Sequence, residues 1–398
     1  MVGAEVVKGR GLGLSSLAPR AVQSEIRAMS VESDRVGGVN LAQGVCDTEV
    51  PSVVAEAAIA AIHEGHNIYT RQDGIARLRR AIAEKTERMQ GLVVDPEREV
   101  LVTSGATGAF HAVAMALFDP GDEVLLFEPF YGYHVGTLRS MRVVPVAVEL
   151  EMGTWALDLE RVRAAITSKT RAIVVNTPSN PAGKVFTRAE LEGLAEIAKE
   201  HDLFVLTDEI YEHFVYGEAK HISMAAIDGM RERTIIMSGY SKTFSVTGWR
   251  IGYVIADAKW TPAIGYFSDL LYVCAPAPFQ HGVTAGIEKL GKTFYAGLAM
   301  DHEVKREMLV SALRDAGFVP HVPDGAYYIL ASMAGLGDVL EGENAAQKAR
   351  SLLKKTGVAA VAGSAFFRAG KGEDLLRFCF AKKDEDLEDA CRRLRGLK

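Results

Sequence analysis

From about residue 51 to 284 the chain alternates amphipathic helical patterns with short apolar runs, and this alternation limits the fold more than any other feature. Helical patterns cover 53–64, 75–89, 108–118, 159–166 and 188–201, and strand-like runs cover 99–103, 123–127, 142–148, 172–176, 203–207, 234–238 and 251–255. Many of the runs are apolar at every position, so both faces of their sheet need a cover of helices. The pattern predicts an α/β fold with an open, mostly parallel sheet, and ligands of such sheets sit beyond the carboxyl ends of the strands. After about 284 the pattern changes: one long charged helix over 285–316 leads into short strands and helices, the mark of a smaller α+β domain. The expected division is 1–50 as an N-terminal arm and part of the small domain, 51–284 as the large domain, and 285–398 as the small C-terminal domain.

A length of 398 residues suits one large domain and a smaller one. The formal net charge of −6 argues against a nucleic-acid or anionic-membrane partner, either of which wants a basic face. Cys46, Cys274, Cys379 and Cys391 are scattered and form no C-x-x-C pair, which fits free thiols in a reducing compartment. No run reaches the length of a membrane span, and no apolar stretch near the N-terminus suits a signal sequence. The expected location is the cytoplasm. A helix is expected over 21–29. Gly9, Gly11 and Gly13 follow no strand, so they are no dinucleotide fingerprint. His63 and His66 share a helical spacing but have no third ligand nearby, and no metal is expected.

The chemistry concentrates at strand ends. Lys242 follows the run at 234–238, and Arg250 stands eight residues on. A lysine at the mouth of a sheet, partly desolvated or near other cations, can form a Schiff base with an aldehyde cofactor. An arginine nearby offers a planar fork for a phosphate. Asp208 ends the run at 203–207, where a carboxylate can hold a proton on a pyridine nitrogen, although an Asp there also suits a helix cap. Thr103 to Ala109 links a strand to a helix through small residues, so backbone amides can approach an anion. On an extended segment alternate residues share a face, which favours Ser241 over Ser238 as a further phosphate ligand.

Ser238-x-x-Ser241-Lys242, followed by Gly248-Trp249-Arg250-x-Gly252-Tyr253, resembles the lysine signature of class I/II aminotransferases of the type I pyridoxal phosphate fold, aspartate/kynurenine aminotransferase-like. The likeness runs from about 40 to 377 and implies pyridoxal 5′-phosphate as cofactor. Thr103-x-Gly105-x-x-x-Ala109 matches the family's phosphate loop, which assigns the amides of Ala106 and Thr107 to the phosphate. Asp208-x-x-Tyr211 resembles the pair at the pyridine nitrogen and the 3′-oxygen. Pro178-x-Asn180-Pro181-x-Gly183 resembles the turn whose asparagine reaches the same oxygen and borders the substrate. Tyr131 resembles the aromatic stacked on the ring. Tyr69 resembles the tyrosine that reaches the phosphate of a neighbouring subunit, which implies a homodimer with shared sites. Arg377 resembles the clamp on the substrate α-carboxylate, and Gly44 the glycine beside the substrate. Cys46 and Thr48 depart from the common pattern in a loop expected to border the side-chain pocket.

The resemblance implies transfer of an amino group from an amino acid to a 2-oxo acid by ping-pong kinetics, with Lys242, Asp208 and Tyr211 carrying the chemistry. Carbon–sulfur β-elimination on the same scaffold is the alternative. A non-catalytic sensor would need a DNA-binding module, and the arm is too short to hold one. No Arg or Lys lies in 261–288 or 101–137, regions where a dicarboxylate site would want a cation, so neutral or aromatic donors are expected.

Overall fold

The computed structural model describes residues 13–18 and 24–397. Helix α1 (Glu25–Arg35) and the short strand β1 (Val39–Asn40) precede α2 (Ser52–His63) and α3 (Ala76–Gln90). Then come β2 (Val100–Ser104), α4 (Gly105–Leu117), β3 (Glu123–Glu128), α5 (Gly132–Ser140), β4 (Val144–Glu149) and α6 (Leu159–Ala164). They are followed by β5 (Thr170–Asn176), α7 (Arg188–Glu200), β6 (Phe204–Asp208), β7 (Thr234–Gly239) and β8 (Ile251–Ile255). Seven strands form one sheet in the order β2-β8-β7-β6-β5-β3-β4. Only β8 is antiparallel to its neighbours. The fold is α/β, as the alternation predicts.

The continuous apolarity of the strands has a direct cause. Val124, Leu126, Ala172 and Val174 pack on one face with Ala109 and Val113 of α4. Their chain neighbours Leu125, Phe127, Ile173 and Val175 pack on the other, with Leu191 and Leu194 of α7. Both faces are dry along the middle of these strands, so polar residues are confined to the strand ends, at Glu123, Glu128, Thr170, Arg171 and Asn176. Helix ends are locally encoded. Thr187 and Glu190 form a reciprocal capping box at the start of α7, and Gly91, at φ 70°, closes α3 in the left-handed conformation.

The C-terminal part comprises α8 (Thr261–Tyr272), α9 (Ala277–Lys289), α10 (Lys292–Asp315), β9 (Val319–Pro320), β10 (Tyr328–Ser332) and α11 (Ala345–Thr356). It ends with β11 (Val358–Ala359), β12 (Val361–Ala362), β13 (Leu375–Cys379) and α12 (Asp384–Arg395). β12, β13, β10 and β9 make an antiparallel sheet, while β11 pairs in parallel with β1. Leu330, Leu376 and Phe378 of this sheet belong to the same core cluster as Ile173 and Leu191. Among the described residues no helix is long and apolar enough to cross a membrane.

Several boundaries differ from expectation. The single helix expected over 285–316 is two, α9 and α10, because Leu290 turns extended and packs into the core while Gly291 starts a new helix. α4 begins three residues before 108, at Gly105, since the turn from β2 is itself the helix's first turn. β4 begins at Val144 rather than at 142, because Arg142 takes a left-handed φ of 62° in the turn before it. α1 starts at Glu25 and runs past 29 to Arg35; positions 21–23, like Gly9 and Gly11, lie outside the described residues. His66 falls beyond the end of α2, and its ring stacks on His281 with centroids 4.2 Å apart.

A buried ion pair lies beneath the turn that follows β6. Lys85 of α3 bonds Glu212, and Tyr253 Oη stands 3.1 Å from Lys85 Nζ and 3.2 Å from Glu212 Oε1. Burial raises the Glu212 pKa, but Lys85 and the nearby His213 and His221 outweigh it and hold the carboxyl at about 2. Lys85→Met is expected to destabilise the protein by about 3–5 kcal/mol, because it strands a buried carboxylate. Adding Glu212→Gln should recover most of that loss in a denaturant titration. If the single variant unfolds at the wild-type midpoint, Lys85 is dispensable to the fold.

Candidate active site

The carboxyl ends of β2, β3, β5, β6 and β7 open on one cavity, closed from the far side by the β10–β13 sheet and α1. Lys242, three residues past β7, lines it. Its Nζ donates to the Gly44 carbonyl at 2.9 Å. Burial lowers the Lys242 pKa to about 8, with Arg250 and Arg377 pushing the same way against the buried thiols of Cys379 and Cys46. The amine is thus a nucleophile and proton acceptor at mildly alkaline pH. A Cβ at Gly44 would overlap the Tyr328 hydroxyl, so only glycine fits beside the lysine.

Asp208 ends β6 and is buried. Its Oδ2 lies 3.0 Å from His134 Nε2, and its Oδ1 accepts from the Ile210 amide at 3.3 Å. Asn176, at the end of β5, donates from Nδ2 to the Asp208 carbonyl at 3.0 Å and accepts the Asn180 amide at 2.8 Å. One side chain thereby fixes two strand-end turns relative to each other. Tyr211 Oη is 2.8 Å from Tyr328 Oη, and burial raises the Tyr211 pKa well above the usual phenol value, so it remains a donor.

Arg377 comes from the other sheet, in the middle of β13, and is fully buried. One guanidinium nitrogen donates to Asn180 Oδ1 at 2.9 Å and another to the Ala42 carbonyl. The group is stacked between the rings of Tyr328 and Phe366, at 4.3 and 4.7 Å. Its Nε has no partner among the described residues.

At the opposite end the cavity wall is built of groups that suit an anion. α4 begins there, and the Ala106 and Thr107 amides belong to its first turn, whose N–H groups have no intrahelical acceptor. Gly105 takes a φ of 71°, and a Cβ on it would stand 2.5 Å from an Arg250 guanidinium nitrogen. Arg250 bonds the Thr247 carbonyl at 2.9 Å and has no carboxylate within 4 Å among the described residues. Ser241 lines the same cavity, whereas Ser238 is turned away and donates to the Glu209 carbonyl at 3.2 Å. Tyr131 forms a side wall, its ring parallel to that of Tyr133 at 5.2 Å.

Twelve sequence candidates thus divide unevenly. Lys242, Asp208, Tyr211, Asn180, Arg377 and Gly44 meet in the cavity with Ala106, Thr107, Tyr131, Ser241 and Arg250. Tyr69, whose expected place is at a neighbouring subunit, is not among the residues lining this cavity and is 78% exposed. The loop expected to border the side-chain pocket meets the cavity through Gln43 and Gly44, while Cys46 and Thr48 turn toward Ser245. Thr48 Oγ1 meets Ser245 Oγ at 2.6 Å, and Cys46 is buried beside the same hydroxyl. His134, Tyr328 and Asn176 escaped the sequence reading. His134 lies in α5, whose two glycines hide the helical signal, and Tyr328 reads as an ordinary core aromatic.

Known proteins share this fold and sequence pattern. A family model described as aminotransferase class I and II matches residues 36–394. A probable N-succinyldiaminopimelate aminotransferase, DapC, of Mycobacterium tuberculosis is 38% identical over 395 residues, covering 96% of this chain and 98% of the relative. Kynurenine–oxoglutarate transaminase 3 of Mus musculus is 35% identical, covering 88% and 83%. The solved N-succinyldiaminopimelate aminotransferase from Mycobacterium tuberculosis superposes with a TM-score of 0.92 over 97% of this chain and all of that one, at 38% identity. YbdL from Escherichia coli, described as having a methionine aminotransferase function, gives 0.92 over 97% of this chain and all of that one, at 30% identity. With a family match across nearly the whole chain and a shared type I fold, the protein belongs to the class I and II aminotransferases and is itself an aminotransferase.

Proposed function

We propose that the cavity binds pyridoxal 5′-phosphate and that the chain moves an amino group from a neutral or aromatic amino acid to a 2-oxo acid. The observation that carries this reading is the meeting of Lys242, Asp208, Arg250 and Arg377 in one cavity. The donor set fits the group: an arginine without a carboxylate and a helix start suit a phosphate, and a buried carboxylate suits a pyridine nitrogen. When bound, the cofactor supplies an aldehyde that captures the amino group and a ring that takes up the electron pair left by the departing Cα proton.

The chain's own residues supply the rest. Arg250, Ser241 and the Ala106 and Thr107 amides hold the phosphate. Tyr131 covers one face of the ring, while Tyr211 and Asn180 donate to the 3′-oxygen. Arg377 grips the α-carboxylate, which sets the Cα proton toward Lys242. Lys242 Nζ accepts that proton, and its lowered pKa suits it to that role. The enclosing walls limit water, which favours transfer over side reactions.

The lack of Arg or Lys in 101–137 and 261–288, where a dicarboxylate site would want a cation, supports neutral or aromatic donors. Kynurenine and methionine figure in the names of two relatives, and N-succinyldiaminopimelate and aspartate in those of others. A homodimer is proposed on a separate observation. Ile68 and Tyr69 on one loop and Tyr266 and Leu270 on α8 are all more than half exposed, and Gln72 brings that loop against Gly265 of α8. A contiguous apolar patch of this kind suits a protein interface. Sedimentation should give twice the chain mass, and a monomer at micromolar concentration would remove the dimer from the proposal.

The decisive experiment follows the fate of nitrogen. Incubation with each amino acid in turn, without acceptor, should yield one equivalent of the matching 2-oxo acid and leave the nitrogen on the cofactor. Release of ammonia and thiol from sulfur amino acids, with no amino transfer, would replace the transaminase reading with β-elimination.

Arg377→Lys provides a residue-level check on recognition. Lysine keeps the charge but cannot make two parallel bonds. Loss of one charge-assisted bond costs about 1.5–3 kcal/mol, roughly ten- to hundred-fold in affinity for every amino acid. Amines lacking a carboxylate should be affected far less. Equal losses for both would assign Arg377 to structure.

A further inference from the structure

The cavity wall holds the cations Arg27, Lys242, Arg250 and Arg377 against one carboxylate, Asp208. In the proposed reading three of these cations are engaged, Arg250 at the phosphate, Lys242 at the aldehyde and Arg377 at the α-carboxylate. Arg27 is not. It lies in the first turn of α1.

Among the described residues its surroundings leave it free for an anion. Two acidic residues of the same helix face away from it: Glu32 pairs with Arg350 at 3.0 Å, and Glu25 approaches the same guanidinium at 3.9 Å. Among the described residues no carboxylate stands within 4 Å of Arg27, and its side chain is exposed. The helix beneath it is anchored. Met29 and Ser33 are buried, Ile26 packs against the main core, and Ser30 Oγ donates to Gln43 Oε1 at 3.3 Å. Gln43, also in the wall, adjoins Gly44 and so the lysine. Arg27 therefore stands at the mouth of the cavity on a fixed backbone.

We infer that Arg27 is a specificity-determining residue that binds the distal carboxylate of a dicarboxylic 2-oxo acid or amino acid, so that the same cavity takes a neutral donor and a diacid acceptor. This rests on the reading of the cavity as the transamination site. An exposed arginine can swing into water when a neutral side chain enters and return for a carboxylate, so the two substrate classes need not compete for one fixed wall. The absence of cations in 101–137 and 261–288 does not bear on the acceptor, because the charge comes from the N-terminal helix.

The test uses two acceptors of equal carbon number, 2-oxoglutarate and 2-oxopentanoate, with the whole cofactor-loaded enzyme and one fixed donor. The wild type should prefer the diacid. Arg27→Gln should lower the ratio of the two kcat/KM values about five- to ten-fold, a modest effect because the arginine is solvated. Arg27→Glu should lower it further, and added salt should reduce the wild-type ratio. Calorimetry with glutarate, a diacid that cannot react, supplies a second readout: Arg27→Gln should weaken its binding while binding of pentanoate changes less. An unchanged ratio, or a wild type that prefers 2-oxopentanoate, overturns the assignment. If neither acceptor takes up an amino group from any donor, the transamination reading fails, and glutarate binding still decides the role of Arg27.

Discussion

Lys242→Ala is expected to abolish amino transfer while leaving the fold and the capacity to bind pyridoxal phosphate in place. The variant removes both proposed roles of the side chain, the covalent anchor and the proton acceptor at Cα. A positioned base alone is worth about 10²–10⁴-fold in rate, and loss of the anchor adds to that. Phosphate binding should survive, because Arg250 and the first turn of α4 do not depend on the lysine. Borohydride reduction of the loaded wild type, followed by peptide mapping, should mark Lys242; a mark on another lysine would falsify the assignment. The pH dependence has a definite sign. Burial lowers the amine's pKa to about 8 from the ordinary lysine value of 10.5, so the protonated, unreactive form prevails below pH 8. Loading of cofactor-free enzyme should therefore accelerate as pH rises through about 8 and level off above it. Acceleration continuing toward pH 10 would mean that the amine is solvated.

The lysine was legible because its surroundings are written locally. An apolar run, a short turn and a cation at fixed spacing need no tertiary information. The same holds for Asp208 and the Thr103–Ala109 turn, which lie at strand ends and so face the mouth of the sheet, whereas Asn180, four residues past β5, was marked only by its likeness to the family's turn. Arg377 was legible only through resemblance. It sits mid-strand in a second sheet, where spacing alone reads as a surface charge, and only packing between Tyr328 and Phe366 makes it a buried fork. Arg27 and His134 fall on helices whose neighbours in space are far off in sequence. No local pattern distinguishes an arginine at a cavity mouth from one in water. Tertiary contacts account for two further features. Leu290 breaks a helical pattern because the core claims its side chain, and the turn after Gly44 redirects Cys46 and Thr48 toward Ser245. In each case a tertiary contact outweighed a local periodicity.

Asp208 tests whether the electron sink operates as proposed, and its geometry makes the test sharper than a simple deletion. Oδ1 accepts the Ile210 amide, as a turn-capping Asp would, while Oδ2 meets His134 at the cavity. The two readings of this residue thus rest on different oxygens. Asp208→Asn retains an acceptor for the Ile210 amide but replaces the carboxylate with an amide, which cannot stabilise a protonated pyridine nitrogen by charge. Loss of one preorganised electrostatic partner costs about 10²–10³-fold in kcat, or about 2.7–4 kcal/mol of barrier. Asp208→Asn and Asp208→Ala should therefore lose turnover to a similar degree, with circular dichroism and the thermal midpoint of Asp208→Asn close to wild type. Asp208→Glu should retain more activity than either, since it keeps the charge at a shifted position. The absorbance of the bound cofactor gives a readout independent of turnover, because it reports the protonation of the ring. If Asp208→Asn turns over like the wild type while Asp208→Ala unfolds, the residue is a turn cap and the proton on the ring nitrogen must be held by another group.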